Sequence, residues 1–303
     1  MSMKALLVPQ LNHPPSRTLV PEFEIGTRIP RIIHQIGMRP AFQDRKLPPL
    51  LQANVDQLRA MNPGWDYRFY DDDDIASFIR QHYPPRVWNL YRRINSRYGA
   101  ARADLFRYLL MYKVGGVYLD IKSSTTRPLD EVLRPDDRFV VSQWHTADGQ
   151  YAFWGEPHDL RHVPGGEYQQ WHIVSAPGHP FLKAVIEQVL SNIAKYDPYL
   201  HETGKFGVLR LTGPTAFTAA VARILAQHPH RFVKGHDQLG FDYNVYSRAA
   251  QTHVQAFKSH YTLQTASIVR LGLLKRPLSQ LYRLAQYCHD RLRGRNSSQA
   301  SVG

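Results

Sequence analysis

The sequence contains very little cysteine and no long apolar segment. Its 303 residues include one cysteine, Cys288, which excludes an internal disulfide and a zinc site built on cysteine ligands. It contains no uninterrupted apolar run of about 18 residues, so no transmembrane helix is predicted. The early apolar run Ala5–Val8 is too short for a signal-peptide core. We therefore expect a cytoplasmic protein, with a peripheral position at the inner face of the membrane as an open alternative.

Acidic residues are also few relative to basic ones. The chain has 25 Asp and Glu against 38 Lys and Arg, a net charge of +13 at pH 7. This excess indicates an anionic partner, and nucleic acid, acidic lipid headgroups and phosphorylated substrates all fit that description. Because no nucleic-acid-binding motif accompanies the charge, we expect no specific nucleic-acid partner.

Much of the basic excess lies in residues 267–295, where leucines recur among arginines and lysines. This pattern predicts a basic amphipathic helix, interrupted near Pro277. Such a helix either lies on an anionic membrane surface or packs on the domain with its basic face in solvent.

Strand and helix patterns alternate along the rest of the chain. Strands are predicted at 31–36, 66–70, 117–121, 139–142 and 172–175, and helices at 47–60, 100–114, 180–195 and 214–227. This alternation predicts an α/β fold with a mixed, mainly parallel sheet flanked by helices. We expect a single catalytic domain over 29–266, after an extended lead-in (1–28) and before a basic C-terminal segment and tail (267–303). The acidic run Asp71–Asp74 is interpreted as a helix cap rather than a metal site.

The most informative stretch is a helix that ends at two glycines and is followed by a short strand and an aspartate. It reads Ala-Asp-Leu-Phe-Arg-Tyr over 103–108 and Gly-Gly-Val-Tyr-Leu-Asp over 115–120. The stretch closely resembles the DXD-containing sugar-binding region of glycosyltransferase family 32, which includes Och1-like mannosyltransferases and bacterial capsule and lipopolysaccharide transferases. Other segments match the family in order, so the resemblance spans about residues 29–261: 29–36, 62–72, 179–181 and 212–214.

The resemblance implies a GT-A-like, Rossmann-like fold and a nucleotide-sugar donor. It also implies transfer with retention of anomeric configuration. The expected function is transfer of a hexose from a nucleoside-diphosphate sugar to a glycan or lipid-linked glycan acceptor, in polysaccharide synthesis of the capsule or lipopolysaccharide type. The alternative is a degenerate transferase that binds a sugar nucleotide or a glycan without turnover.

The resemblance also assigns residues. It makes Asp120 the catalytic centre. Asp120 lies near the carboxyl end of the predicted strand 117–121, and in such sheets that end of a strand faces the ligand. Asp104 and Arg107 share a helix face, so they bind the donor together or form an ion pair. Tyr118 is a donor contact or a core residue. The remaining donor-binding residues implied by the resemblance are His34, Gln35 and Gly116.

The motif departs from the family pattern in one respect. The usual Asp-X-Asp holds Mn²⁺ or Mg²⁺ against the donor diphosphate, but this chain has Asp120-Ile121-Lys122. In the preferred interpretation Asp120 still holds the cation, with His260 as a second ligand. In the alternative, the Lys122 ammonium binds the diphosphate. A third possibility is an Asp120–Lys122 ion pair. Strand alternation predicts both side chains on one face.

Overall fold

The fold is built on a six-stranded mixed sheet. The computed structural model describes residues 11–15, 18–38, 46–145, 154–248, 264–273, 275–282 and 284. Its strands are β1 (Ile32–Ile36), β2 (Asp66–Tyr70), β3 (Gly116–Leu119), β4 (Ser124–Thr125), β5 (Phe139–Ser142), β6 (His172–Ser175), β7 (Arg231–Val233) and β8 (Phe241–Asp242). The large sheet has the order β2-β1-β3-β6-β5-β7, and β4 pairs with β8 separately. Because β6 is the one strand of this sheet that runs antiparallel to the other five, the predicted mainly parallel sheet is confirmed.

Helices cover both faces of this sheet. They are α1 (Pro49–Met61), α2 (Asp72–His82), α3 (Pro85–Tyr91), α4 (Gly99–Val114), α5 (Leu129–Val132), α6 (Pro180–Lys195), α7 (Pro198–His201), α8 (Gly204–Leu211) and α9 (Pro214–Ala222). Successive strand residues point to opposite faces. Tyr118 joins the core under α4 and α6, whereas Val117 and Leu119 join the core under α1 and α5. The predicted α/β class with flanking helices is thereby confirmed.

The helix α4 and the strand β3 are joined by the glycine pair of the motif. Ten of the sixteen α4 residues are buried, so this helix runs through the interior. Gly115 has φ +69° and Gly116 has φ +107°, backbone conformations that residues with a side chain rarely adopt. A Cβ atom on Gly116 would lie 2.6 Å from the Ile32 carbonyl oxygen. The two glycines therefore allow β3 to start directly where α4 ends, close against β1.

The acidic run is a helix cap, as the sequence predicts. The Asp71 carboxylate accepts hydrogen bonds from the backbone N–H groups of Asp73 and Asp74. The Asp74 carboxylate in turn accepts from the Asp71 N–H, which completes a capping box at the start of α2.

The C-terminal segment differs from its prediction over residues 267–273. Val269 forms an antiparallel bridge with Ile94, and the Asn95 N–H donates to the Ile268 carbonyl at 2.8 Å. The Ile268 carbonyl and the Arg270 N–H thus bond to residues 93–95 and not within a helix. The predicted helix over 267–273 is therefore wrong. Residues 275–282 are helical, and Pro277 lies in their first turn, where its missing N–H costs little. Leu284 is also helical. The other residues of the predicted helix, which are 274, 283 and 285–295, lie outside the described residues.

The described part of the lead-in contains neither helix nor strand. The backbone N–H groups of Leu19 and Val20 donate to the Glu187 carboxylate on α6, at 2.8 to 3.0 Å. Among the described residues, no helix is long and apolar enough to cross a bilayer. The predicted domain limits stay predictions.

Candidate active site

A cleft of about 640 Å³ lies beyond the end of β3. Its charged lining residues are Asp104, Arg107, Asp120, Lys122, Glu156, Glu167 and Lys205, and its large aromatic ones are Trp144, Trp154, Trp171 and Tyr243. The helix α4 contributes Asp104 and Arg107, and the turn after β3 contributes Asp120 and Lys122. The structure therefore brings four of the predicted site residues into one cavity.

Arg107 is the centre of the charged cluster. Its guanidinium is buried and contacts two carboxylates, with Nη1 2.9 Å from Asp120 Oδ1 and Nη2 3.2 Å from Asp104 Oδ1. Nη1 also donates to the Gln170 carbonyl at 2.9 Å, and the guanidinium lies 4.7 Å from the centre of the Tyr118 ring. Burial opposes the charged form, but Asp120, Tyr118 and Asp104 outweigh it and raise the pKa of Arg107. Arg107 therefore remains a cation that links α4 to the end of β3.

Asp104 is almost fully occupied by protein contacts. Its Oδ1 accepts from Arg107 and from Gln170 Nε2 at 3.3 Å, and its Oδ2 accepts from Thr212 Oγ at 2.8 Å. Burial raises the pKa of Asp104, although Arg107 and Thr212 counteract the shift. These contacts favour a positioning role for Asp104, at the back of the cleft. Its predicted contact with the donor stays a prediction.

Asp120 is held through its backbone on both sides. Its N–H donates to the Trp171 carbonyl at 2.8 Å, and its carbonyl accepts from Gln35 Nε2 at 3.2 Å and from the Ser123 N–H at 2.7 Å. Its Oδ1 accepts from Arg107 and from the Tyr118 hydroxyl at 2.8 Å. No group in the described part of the chain donates to Oδ2, and the side chain is 22% exposed. Asp120 thus presents one carboxylate oxygen, at a fixed position, to a ligand.

Lys122 reaches the cleft by a different route from the one predicted. Strand β3 ends at Leu119, and the bond from the Ser123 N–H to the Asp120 carbonyl turns the chain, so strand alternation does not apply here. Lys122 Nζ donates to the Tyr243 hydroxyl at 2.8 Å and lies 4.0 Å from the centre of that ring. In the described structure it forms no ion pair with Asp120 within 4.0 Å, so that alternative is wrong. Burial, and to a lesser extent Arg107, lowers the pKa of Lys122 to about 8, against the opposing effect of Asp120.

Besides Tyr118, which is buried and donates to Asp120, three predicted donor-binding residues lie behind the cleft rather than in its lining. Burial lowers the pKa of His34 to about 4, so its ring is neutral. Nε2 then donates to the Gly115 carbonyl at 2.9 Å, and Nδ1 accepts from the Tyr70 hydroxyl at 3.0 Å. Gln35 donates to the Asp120 carbonyl and accepts from the Tyr67 hydroxyl. With Gly116 packed on β1, these residues position Asp120 indirectly, and their predicted donor contacts stay predictions. His260 lies outside the described residues.

Sequence reasoning missed the aromatic wall of the cleft. Trp144 packs edge-on against Trp154 and Tyr243, with ring centroids 5.3 and 5.2 Å apart. The Trp144 Nε1–H donates to Glu167 at 2.9 Å, and burial raises the pKa of Glu167 to about 7. Trp154 remains 45% exposed. A signal was available, since three of the five tryptophans lie between 144 and 171.

Comparison with known proteins covers the part of the chain that contributes Asp104, Arg107, Asp120 and Lys122 to this cleft. Residues 48–140 match a family described as a glycosyltransferase sugar-binding region containing a DXD motif. Inositol phosphoceramide mannosyltransferase 1 of Schizosaccharomyces pombe is 25% identical over 173 residues, 56% of this chain and 44% of the relative. The initiation-specific alpha-1,6-mannosyltransferase of Candida albicans is 27% identical over 179 residues, 53% of this chain and 44% of the relative.

These matches confirm the resemblance to glycosyltransferase family 32 and the glycosyltransferase class for this part of the chain. The chain spans less than half the length of both mannosyltransferases. Among solved structures, the UDP-bound glycosyltransferase domain of the YGT toxin is 10% identical with a TM-score of 0.48, and covers 74% of this chain and 82% of that one.

The described residues around Asp120 do not fit the divalent cation that the motif implies. Within the described residues, no group of three His, Cys, Asp or Glu side chains could hold a metal ion. Asp120 Oδ1 already accepts two hydrogen bonds, and the Lys122 ammonium lines the same cleft. A divalent cation bound with the donor would take most of its oxygen ligands from the diphosphate and water, and at the end of β3 the described residues add Asp120 Oδ2, close to the positive charges of Arg107 and Lys122. The predicted cation is therefore not supported by these side chains.

Proposed function

We propose that this chain transfers a hexose from a nucleoside-diphosphate sugar to a hydroxyl of a glycan or lipid-linked glycan. The observation that carries the proposal is the position of Asp120. It lies at the end of a strand in a region matching a sugar-binding family, with one carboxylate oxygen directed to a cleft lined by Arg107 and Lys122. The cations suit a diphosphate, and Asp120 Oδ2 suits a sugar hydroxyl.

In the proposed reaction, the bond between the anomeric carbon and the donor phosphate oxygen breaks, and its electron pair leaves with the diphosphate. The acceptor oxygen bonds to the anomeric carbon, and its proton passes to a phosphate oxygen of the leaving diphosphate. This front-face course would retain the anomeric configuration without a protein nucleophile. Asp120 is poorly suited to be a nucleophile, since Arg107 and Tyr118 already stabilise its negative charge. A trapped covalent glycosyl-enzyme would contradict this course.

The relatives suggest which donor sugar to test first. Both are named mannosyltransferases, one acting on an inositol phosphoceramide, so we propose mannose as the first hexose to examine. An acceptor sugar would rest on the exposed Trp154, because the C–H face of a pyranose packs well on an aromatic ring. The acceptor class remains the one proposed from the sequence, a growing glycan of the capsule or lipopolysaccharide type.

The test is transfer and hydrolysis over a panel of UDP- and GDP-sugars with glycan acceptors, for wild type and Asp120→Asn. The matched control is Asp136→Asn, which makes the same change at an exposed carboxylate outside the cleft. We expect Asp120→Asn to lower turnover at least a hundredfold, the usual scale for a group that stabilises transition-state charge. Equal turnover in both variants would refute the assignment. Binding without turnover across the panel would favour the degenerate binding module.

We also propose that the protein works in the cytoplasm at an anionic membrane surface, where a lipid-linked acceptor would be. The support is the exposure of Leu278, Leu281 and Leu284 within a basic segment. Co-sedimentation with anionic vesicles should fall for Leu281→Asp but not for Phe232→Asp, a similarly exposed residue on β7. Equal sedimentation of the two variants would contradict the proposal.

A further inference from the structure

The residue that replaces the second aspartate of the motif is held in place from two sides. Lys122 Nζ donates to the Tyr243 hydroxyl, and the Lys122 carbonyl accepts from the Val245 N–H at 2.8 Å. The neighbouring Ser123 Oγ donates to the Tyr243 carbonyl at 2.7 Å. The short pairing of β4 with β8 brings these two segments together. Lys122 is therefore a fixed part of the cleft rather than a flexible surface lysine.

The charges of the cleft are not equally available to a ligand. Arg107 is shared between the carboxylates of Asp104 and Asp120 and donates to the Gln170 carbonyl, so its guanidinium is largely satisfied within the protein. Lys122 contacts no carboxylate in the described part of the chain, and its hydrogen-bond partner, Tyr243, is a neutral hydroxyl. An ammonium has three donors, so two remain for a ligand after the bond to Tyr243.

We propose that Lys122, positioned by Tyr243, supplies the positive charge on the donor diphosphate that a divalent cation would supply to a two-aspartate motif, so that donor binding needs no divalent cation. This inference rests on the proposed function. The Lys122 ammonium keeps its proton throughout and stabilises the charge that develops on the leaving diphosphate. Tyr243 is a positioning residue, which acts through Lys122.

The experiment is calorimetric titration of the full chain with UDP and with GDP, in EDTA and in Mn²⁺. Whichever of UDP and GDP binds more tightly, we expect its Kd for the wild-type protein to be the same in EDTA and in Mn²⁺, within about twofold. Lys122→Ala should weaken binding at least tenfold, on the scale of one lost charge-assisted hydrogen bond. The control Lys234→Ala, an exposed lysine outside the cleft, should leave the Kd unchanged.

The decisive variant is Lys122→Asp, which restores the two-acid motif. We expect it to bind the nucleotide poorly in EDTA and at least tenfold more tightly in Mn²⁺, which wild type does not. Far-ultraviolet circular dichroism and thermal melts establish that each variant is folded. Wild-type binding that requires Mn²⁺, or a folded Lys122→Ala variant that binds as tightly as wild type, would overturn the inference and leave the proposed function standing. No binding of either nucleotide in any condition would overturn both.

Tyr243→Phe tests the positioning role. The change keeps the ring and removes the hydroxyl that Lys122 Nζ contacts, so the Kd in EDTA should rise severalfold. In a Lys122→Ala background the same change should have no further effect, because the two residues act as one unit. Additive losses would show that Tyr243 supports the fold or the ligand independently, and would overturn this part of the inference.

Discussion

Replacing Arg107 is the strongest test of how the cleft is stabilised. Arg107→Met keeps most of the side-chain length but leaves the Asp104 and Asp120 carboxylates without their shared cation. Removing one partner of a buried ion pair costs about 3–5 kcal/mol, because the remaining charge is left uncompensated. For a domain of this size, that loss lowers Tm by on the order of 10 °C. The exposed pair Arg31–Asp130 provides the control, Arg31→Met, for which we expect less than about 1 kcal/mol.

The pH dependence of this loss identifies its cause. Burial already raises the pKa of Asp104 above its ordinary value of 3.8, and removal of Arg107 takes away the main opposing effect. In the variant, folded Asp104 binds its proton more tightly than the unfolded chain does. Stability is then highest below the unfolded pKa and falls as the pH rises through the raised folded pKa.

Chemical unfolding near pH 5 and near pH 7.5 therefore distinguishes the cause of the loss of stability. In the unfolded chain Asp104 is ionised at both pH values, because an unperturbed Asp has a pKa of about 3.9. We expect the difference between wild type and Arg107→Met to be larger at the higher pH. An Arg107→Met variant as stable as Arg31→Met at both values would refute this account of the buried cluster. A large loss that is equal at both pH values would point instead to lost packing of the guanidinium on the Tyr118 ring.

Three further changes address other parts of the site. Tyr118→Phe removes one of the two donors to Asp120 Oδ1, and steady-state kinetics should show kcat/KM lowered by about tenfold, since a hydrogen bond to a charged group contributes roughly 1.5–3 kcal/mol. Gly116→Ala places a Cβ 2.6 Å from the Ile32 carbonyl oxygen in a residue with a positive φ. Urea unfolding should therefore show a free energy of unfolding lowered by at least about 1–3 kcal/mol. The control Gly272→Ala, whose Cβ would meet no atom within 4 Å, should leave the free energy of unfolding unchanged. Trp154→Ala should raise the KM for the acceptor severalfold and leave the Kd of the nucleotide unchanged, because the ring packs against Trp144, whereas Arg107 and Lys122 lie over the rings of Tyr118 and Tyr243. A change in nucleotide affinity alone would contradict the acceptor assignment of Trp154.

The sequence predicts the elements of this fold well where the signal is local. Helix α4 shows helical spacing of Leu105 and Leu109, and the two glycines mark its end, so both its existence and its limit follow from nearby residues. The acidic cap at Asp71 is a similar case. In contrast, residues 267–273 begin a segment whose leucines recur at helical spacing, as at Leu274, Leu278 and Leu281, but they pair with the backbone at 93–95. That partner is far away in the chain, so no local pattern indicates it.

The same distinction explains which site residues were predicted. Asp104, Arg107, Asp120 and Lys122 lie within one helix–strand unit, and the motif specifies them together. Tyr243 lies 121 residues from Lys122, and their contact depends on a pairing of two-residue strands. Such short strands have almost no sequence signature. The position of Lys122 was derived from strand alternation, which fails because the chain turns immediately after Asp120.

The residues of β1 that lie outside the cleft still determine its geometry. His34 and Gln35 are adjacent in the chain, and each contacts one end of β3: His34 donates to the Gly115 carbonyl just before the strand, and Gln35 donates to the Asp120 carbonyl just after it. Because β3 has only four residues, these two bonds fix the start and the end of the segment that carries Asp120. A substitution at Gln35 should thus shift the Asp120 carboxylate without removing any group that touches the ligand. Its expected signature is a lower kcat with a nearly unchanged nucleotide Kd, because turnover depends on Asp120 whereas the proposed binding charge comes from Lys122.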